Sequence, residues 1–155
     1  MPAISRLFIK AALISFLLGM VAGAAFLLYK AATGQEVPHS LVIIHTHLLT
    51  VGFLVNMVIG VAYWMFPRPT AVPTRDVAAT VMFWSLNGGL VLRFLTEPFV
   101  DQPGGMLLRL ALGFSGVLQG AASIIFLAII WRRVMSARAR WEREQARGQP
   151  PAHRP

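Results

Sequence analysis

The sequence has no cysteine and very few acidic residues, and both shortages restrict what the protein can do. Without cysteine among its 155 residues, the chain forms no disulfide and offers no thiolate ligand to a metal. None of its six Asp and Glu residues lies at the centre of an apolar run, which argues against an ion pump or a proton-coupled transporter. The sequence also lacks the motifs of phosphate-cradling loops, nucleophile elbows, paired catalytic carboxylates and metalloproteases.

Apolar residues dominate the chain. It is 56% hydrophobic and 13% charged, with a mean hydropathy of +0.64, which is too apolar for an ordinary soluble domain. Spanning a bilayer takes about 20 apolar residues, and four runs are long enough, at residues 7–29, 41–66, 77–95 and 106–131. Short connections rich in Pro, Gly and polar residues separate them, so consecutive helices should be antiparallel. The sequence predicts an all-α, polytopic membrane protein whose residues 1–131 form a four-helix antiparallel bundle.

The net charge of +8 is concentrated at the C-terminus. Seven of the fourteen Lys and Arg residues lie between Arg132 and Arg154, beyond the last apolar run. That position favours a tail that contacts anionic lipid over a nucleic-acid groove. We therefore expect residues 132–155 to be a basic, partly disordered cytoplasmic tail, and we expect no nucleic-acid partner.

The other basic residues predict the orientation. Arg6 and Lys10 lie near the N-terminus, and the second connection contains Arg68 and Arg75. The charged residues of the third connection are all acidic. By the positive-inside rule, we expect both termini to be cytoplasmic. We expect the membrane to be a bacterial inner membrane. Cleavage of residues 1–25 as a signal peptide at "AGAA" is the alternative. The apolar run continues to full spanning length, which favours an uncleaved first helix.

Three of the four histidines lie within nine residues at the start of the second span: His39, His45 and His47. An ionisable residue inside a membrane span is a candidate for function. On a helix, residues two apart point about 200° apart, so His45 and His47 cannot ligate one ion from the same helix. His39 lies at the boundary of the span, where an interfacial role is the simpler interpretation.

A stripe of special residues runs down the helix from His45. At about 100° per residue, Gly52, Asn56 and Tyr63 share its face. A ring-shaped cofactor ligated by His45 and lying against Gly52 would fit this stripe. The structural alternative is that the histidine forms a hydrogen bond between helices and the glycine allows close packing.

From His45 to Arg68 the sequence reads H-T-x6-F-x2-N-x2-I-x3-Y-x4-R. This segment resembles the second transmembrane helix of the catalytic subunit of cbb3-type haem-copper oxidases, and it is similar to the histidine-bearing helices of NnrS membrane haem proteins. In the oxidases that histidine is an axial ligand of low-spin haem, so the resemblance implies that His45 binds b-type haem. His47 is outside the pattern; a second haem or metal ligand, a proton relay and a structural hydrogen bond all remain open for it.

The resemblance also carries an expectation about assembly. The oxidase subunit has twelve helices in three four-helix arcs, with metal-binding histidines on the second helix of each arc. This chain has one arc's helices, and its other spans contain no histidine. A bis-histidine haem therefore needs another copy, unless a residue such as Met106 serves as the second ligand. Three copies would restore twelve helices, which predicts a homotrimer, with a symmetric dimer as the alternative.

Two arginines near the outer ends of the last two spans are candidate partners for haem propionates, since arginine binds carboxylates well: Arg93 and Arg109. For Arg93 the alternative is an i,i+4 ion pair with Glu97. Asn87, Gly88 and Gly89 in the third span are consistent with a close helix crossing.

These patterns together predict a membrane haem protein with a role in respiratory electron transfer or in the handling of O2 or NO. One alternative is an oligomeric haem and copper reductase in which three copies of His47 hold the copper. Another is a non-catalytic accessory or assembly subunit whose histidines bind a respiratory-chain partner through hydrogen bonds.

Overall fold

The computed structural model of the protein describes residues 1–66, 77–99 and 105–146. These residues form helices and no strand, and four of the helices are long and apolar enough to cross a membrane. The helices are α1 (Ala3–Thr33), α2 (His39–Met65), α3 (Val77–Thr96) and α4 (Met106–Ala146). The four predicted spans are thus confirmed as helices. The orientation of the termini stays a prediction, and residues 147–155 of the predicted tail lie outside the described residues.

The boundary between α1 and α2 follows from its sequence. Gly34 adopts φ 70°, a left-handed conformation that glycine accepts without strain, and its N–H donates to the Lys30 carbonyl at 2.9 Å. Pro38 then precedes the first residue of α2. The connection between them is polar and exposed, with an ion pair between Lys30 and Glu36 at 2.6 Å. Helix α1 therefore ends by an αL cap, and α2 starts immediately after a proline.

Consecutive helices pack along one another, but the layer they form is open. α1 packs on α2, α2 on α3 and α3 on α4. In addition, α1 makes a small contact with α3, where the rings of Phe8 and Phe83 lie 5.0 Å apart, and the end of α2 makes a small contact with α4. The described residues of α1 and α4 do not contact each other. The four helices therefore form an open arrangement, here called the arc, in which α1 and α4 do not meet. Gly60 lies against Ser5 and Gly23 against His45, so α1 and α2 are antiparallel.

The largest buried cluster lies in the half of the arc that contains the N-terminus and the end of α2. Its members come from all four helices: Phe8, Ile59, Tyr63, Ala79, Met82, Phe83, Leu86 and Ala122. The histidines of α2 are at the opposite end, which we call the histidine end. Large apolar side chains such as Leu17, Leu27 and Ile124 cover the outside of the arc, which is the surface expected of helices in lipid.

The middle of α2 is wound differently from its ends. Leu48–Val55 forms a π-helix between the α-helical segments His39–His47 and Asn56–Met65. The Asn56 amide Nδ2 donates to the carbonyls of Val51 at 3.1 Å and of Gly52 at 3.0 Å, so the side chain binds the backbone where the winding changes. This wide segment follows directly after His47, and π-helical turns are often found at functional sites.

Candidate functional site

Small residues of α1 determine how closely α2 approaches at the histidine end. Ser15, Gly19 and Gly23 are spaced by four residues and face α2. A methyl group on Gly19 would lie 2.6 Å from Leu49 Cδ2, and one on Gly23 would lie 2.8 Å from His45 Cε1. These glycines are not among the predicted site residues, although spacing of small residues by four is a known signal of close packing between membrane helices.

His45 is half-buried against α1 and makes the hydrogen bond between helices that the structural alternative predicts, which fixes the orientation of its ring. Its Nδ1 lies 3.0 Å from the carbonyl oxygen of Gly19, and the edge of the ring meets Phe26 with centroids 5.9 Å apart. A carbonyl can only accept a hydrogen bond, so Nδ1 carries the proton and donates it. In the neutral imidazole, Nε2 then holds the lone pair. Metal-binding histidines are commonly held in this way, by a backbone carbonyl that accepts from the other ring nitrogen.

His47 is also half-buried, but it faces α3. Its Nδ1 lies 3.0 Å from the Ile43 carbonyl of its own helix, which again leaves Nε2 as the acceptor of the neutral ring. The side chain lines a cleft between α2 and α3 together with Arg93 and Phe94. The two histidines therefore contact different helices, as their spacing of two residues predicts.

The predicted stripe below His45 is buried, and protein atoms pack against each of its members. A methyl group on Gly52 would lie 2.7 Å from both Cβ and Oγ of Ser15 and 3.0 Å from Leu90 Cδ2. There is consequently no space for a planar ring against Gly52 within one chain. Tyr63 is 1% exposed, and the guanidinium of Arg133 lies over its ring, 4.0 Å from the centroid.

The Asn56 side chain is hydrogen-bonded to α3 as well as to the backbone of its own helix. Its side-chain amide forms two reciprocal hydrogen bonds with that of Asn87, at 3.2 and 3.1 Å, and Asn87 also donates to the Phe83 carbonyl. Buried amides that are fully hydrogen-bonded lose little by leaving water. This pair therefore joins α2 to α3 near the middle of the arc.

The two candidate propionate partners have different environments. Arg93 Nε lies 3.2 Å from Glu97 Oε2, in the i,i+4 ion pair that the sequence analysis named as the alternative, and Glu97 is 7% exposed. The cleft places Arg93 beside His47 and not beside His45. Arg109 and Met106 are exposed near the start of α4.

Within residues 1–66, 77–99 and 105–146, no group of three or more His, Asp and Glu side chains is placed to hold one metal ion. Arg68, the last residue of the resembling pattern, lies outside the described residues. Comparison of the chain with protein-family models, curated proteins and solved structures finds no match. The resemblance to oxidase helices accordingly rests on the residues quoted from α2.

Proposed function

We propose that the protein is a membrane haem protein that binds b-type haem through His45 and takes part in respiratory electron transfer or in the handling of O2 or NO. The observation that carries the proposal is the hydrogen bond from His45 Nδ1 to the Gly19 carbonyl. It fixes the ring and leaves the lone pair of the neutral imidazole on Nε2, the atom that would bind the haem iron. We place the protein in a bacterial inner membrane, and the basic residues at its N-terminus, in the second connection and in the C-terminal tail support an orientation with both termini cytoplasmic.

The residues at the histidine end could supply one axial ligand of a haem, but one chain leaves no room to enclose the haem itself. His45 would supply one ligand, and Gly19 would orient it. Because Ser15 and Leu90 fill the place against Gly52, the haem would lie outside that packed face, with its second ligand from another copy. Arg109, exposed near the start of α4, would bind a propionate, whereas Arg93 is already paired with Glu97. When bound, the haem supplies the one-electron and gas-binding chemistry.

The open arc supports the homo-oligomer in this proposal. Its edge helices α1 and α4 make no contact with each other among the described residues. Contact between α4 of one copy and α1 of the next would close a ring of three arcs, and closed rings are the usual form of homo-oligomers. We propose the trimer, and a symmetric dimer is the alternative.

The test is the ultraviolet-visible spectrum of the purified protein, oxidised and dithionite-reduced. We expect a Soret band and sharp reduced α and β bands in the wild type and in His47→Ala, and their loss in His45→Ala. His39→Ala is the matched control, because His39 is exposed at the start of the same helix. A colourless wild-type protein, even after expression with added haem, would refute the cofactor assignment. Loss of the bands in His47→Ala alone would move the ligand to His47.

A non-catalytic accessory or assembly subunit is the second candidate. The amide of the stripe is satisfied inside the protein, since Asn56 pairs with Asn87, and outside the stripe Arg93 forms its ion pair with Glu97. A structural membrane subunit needs nothing more from them. This candidate predicts a colourless protein that co-purifies with a respiratory complex, and a pull-down from membranes analysed by mass spectrometry would distinguish it.

A further inference from the structure

The imidazole of His45 lies against α1 at a position where α1 has no side chain. A methyl group on Gly23 would lie 2.8 Å from Cε1 of the ring, 3.4 Å from Nε2 and 3.6 Å from Nδ1. The three atoms nearest to it therefore all belong to the ring. Because side-chain carbons do not come closer than about 3.0 Å to such a neighbour, a larger residue at Gly23 and the present position of the ring exclude each other.

Two other residues of α1 contact the same ring. The carbonyl of Gly19, about one turn before Gly23, accepts the hydrogen bond from Nδ1 at 3.0 Å. Phe26, about one turn after Gly23, meets the ring edge-on, with centroids 5.9 Å apart and an angle of 70° between the planes. The three residues follow the i, i+4, i+7 spacing of one helix face. Gly23 therefore lies between the hydrogen-bond acceptor of the ring and its aromatic neighbour.

The other ring nitrogen of His45 remains available to a group from outside the chain. Nδ1 donates to Gly19, so Nε2 of the neutral ring carries the lone pair. No residue in the described part of the chain forms a hydrogen bond with Nε2, and Nε2 is not among the fully buried polar atoms that lack a partner there. The lone pair stays on Nε2 only as long as Nδ1 keeps its acceptor.

A methyl group at Gly23 could be accommodated by rotation of the ring or by separation of α1 from α2. The two helices are equally close at Gly19, Gly52 and Gly60, where an added methyl group would lie 2.6 to 2.8 Å from the facing helix. Separation would loosen all three of these contacts, whereas rotation breaks one hydrogen bond and one ring contact. The ring of His45 is therefore the part that moves.

We infer that Gly23 is a positioning residue for His45. Because Gly23 has no side chain, the ring lies against α1, Nδ1 keeps the Gly19 carbonyl as its acceptor, and the lone pair stays on Nε2. This inference concerns the chain itself and does not depend on a cofactor. Its consequence for haem rests on the proposed function. A histidine whose Nδ1–H donates to a carbonyl is a more basic ligand, and a more basic ligand favours ferric over ferrous iron.

The test is ¹⁵N nuclear magnetic resonance of the haem-free full chain in detergent and alkaline buffer, with only its histidines labelled. The spectrum distinguishes the two neutral tautomers, because protonated and unprotonated ring nitrogens have widely separated ¹⁵N shifts. The signals of His45 are those that His45→Ala removes. We expect wild-type His45 to be protonated at Nδ1. In Gly23→Ala we expect a shift to protonation at Nε2, the form that free histidine prefers in water.

Gly60→Ala is the matched control. It adds a methyl group to the same helix contact, 2.8 Å from Ile9 Cγ1, near the C-terminal end of α2 and far from His45. It should lower the Tm, but its His45 signals should stay those of the wild type. Unchanged His45 signals in Gly23→Ala, or an equal change in Gly60→Ala, would overturn the inference. Protonation at Nε2 in the wild type would overturn it too, and that outcome needs no variant to fold.

Redox titration of the haem-loaded proteins separates this inference from the proposed function. We expect a higher midpoint potential in Gly23→Ala than in the wild type, and no change in Gly60→Ala. A wild type that binds no haem would refute the haem assignment, and the ¹⁵N spectra would still decide the position of His45. A changed tautomer with an unchanged midpoint potential would overturn the consequence for haem.

Discussion

At the scale of single residues, Arg133 is the least expected side chain in the structure. It belongs to the segment that the sequence predicts to be a basic, partly disordered cytoplasmic tail, yet it is 8% exposed. Its Nη1 donates to the Phe66 carbonyl at 3.0 Å, and its guanidinium covers the ring of Tyr63. A cation bound to a carbonyl at the end of a helix also interacts favourably with the helix dipole. Arg133 therefore links α4 to the C-terminal end of α2.

Arg133→Ala should destabilise the protein by about 2 kcal/mol, because it removes a charged hydrogen bond and a cation–π contact together. For a chain of this length, that corresponds to a fall of about 4 to 8 °C in the Tm of the detergent-solubilised protein. Arg132→Ala is the control, since Arg132 is exposed one residue earlier. Equal Tm values for the two variants would show that the contact with α2 contributes nothing.

The histidines show what the spacing of residues in the sequence can and cannot predict. Their spacing predicts that His45 and His47 point to different neighbours, because helical geometry alone determines the angle. The spacing does not predict which ring nitrogen is protonated, because that depends on the carbonyl each ring meets. For His45 the carbonyl is that of Gly19, twenty-six residues earlier in the chain. Assigning it requires knowing how α1 and α2 pack.

At the scale of helices, the sequence predicts the four spans well, because the thickness of the bilayer sets their length. It does not predict the π-helix at Leu48–Val55. Neither a proline nor a polar run marks this segment. The wide turn coincides with the contact of Gly52 with Ser15 and with the Asn56–Asn87 pair, which are properties of the packed arc. Across this segment, a count of about 100° per residue no longer gives true directions.

The contact between α3 and α4 gives a prediction on adjacent residues. A methyl group on Gly89 would lie 2.8 Å from the backbone oxygen of Ser115, whereas one on Gly88 would have no atom within 4 Å. We expect Gly89→Ala to destabilise the protein by about 1 to 3 kcal/mol through overpacking. Gly88→Ala should leave the stability unchanged or raise it by up to about 1 kcal/mol, because alanine favours helix more than glycine does.

Thermal unfolding of the two variants in the same detergent checks this expectation. The decisive quantity is the sign of the change in the free energy of unfolding that each variant shows, because both substitutions add one methyl group to the same helix. A loss of stability in Gly88→Ala as large as that in Gly89→Ala would contradict the close contact of Gly89 with the Ser115 backbone. The close crossing that the sequence suggests at this position depends on Gly89, and no signal in the sequence distinguishes it from Gly88.

At the scale of the whole molecule, the arc leaves both of its edge helices uncovered by the described part of the chain. On α4, methyl groups on Gly113, Gly116 and Gly120 would meet no atom within 4 Å, so this side of the helix is smooth and open. Lipid can cover an apolar helix face, but small residues allow a second helix to approach more closely than lipid packing does. The free edges and the single histidine-bearing helix lead to the same expectation, an assembly of copies.

We expect native mass spectrometry, after extraction in a polymer that keeps the surrounding lipid, to give a trimer of three 17.0 kDa chains, 51 kDa in all. Gly116→Leu should shift the protein toward monomer, because the large side chain would hold a neighbouring helix away. Leu107→Phe enlarges a side chain that is 78% exposed on the same helix but lies about 180° around it from Gly116, and it should leave the mass unchanged. A monomer of the wild type in lipid would exclude the shared site, because a second histidine ligand would then have no source among the four spans. A dimer of 34 kDa, two chains of 17.0 kDa, would keep that source and replace the threefold arrangement by a twofold one.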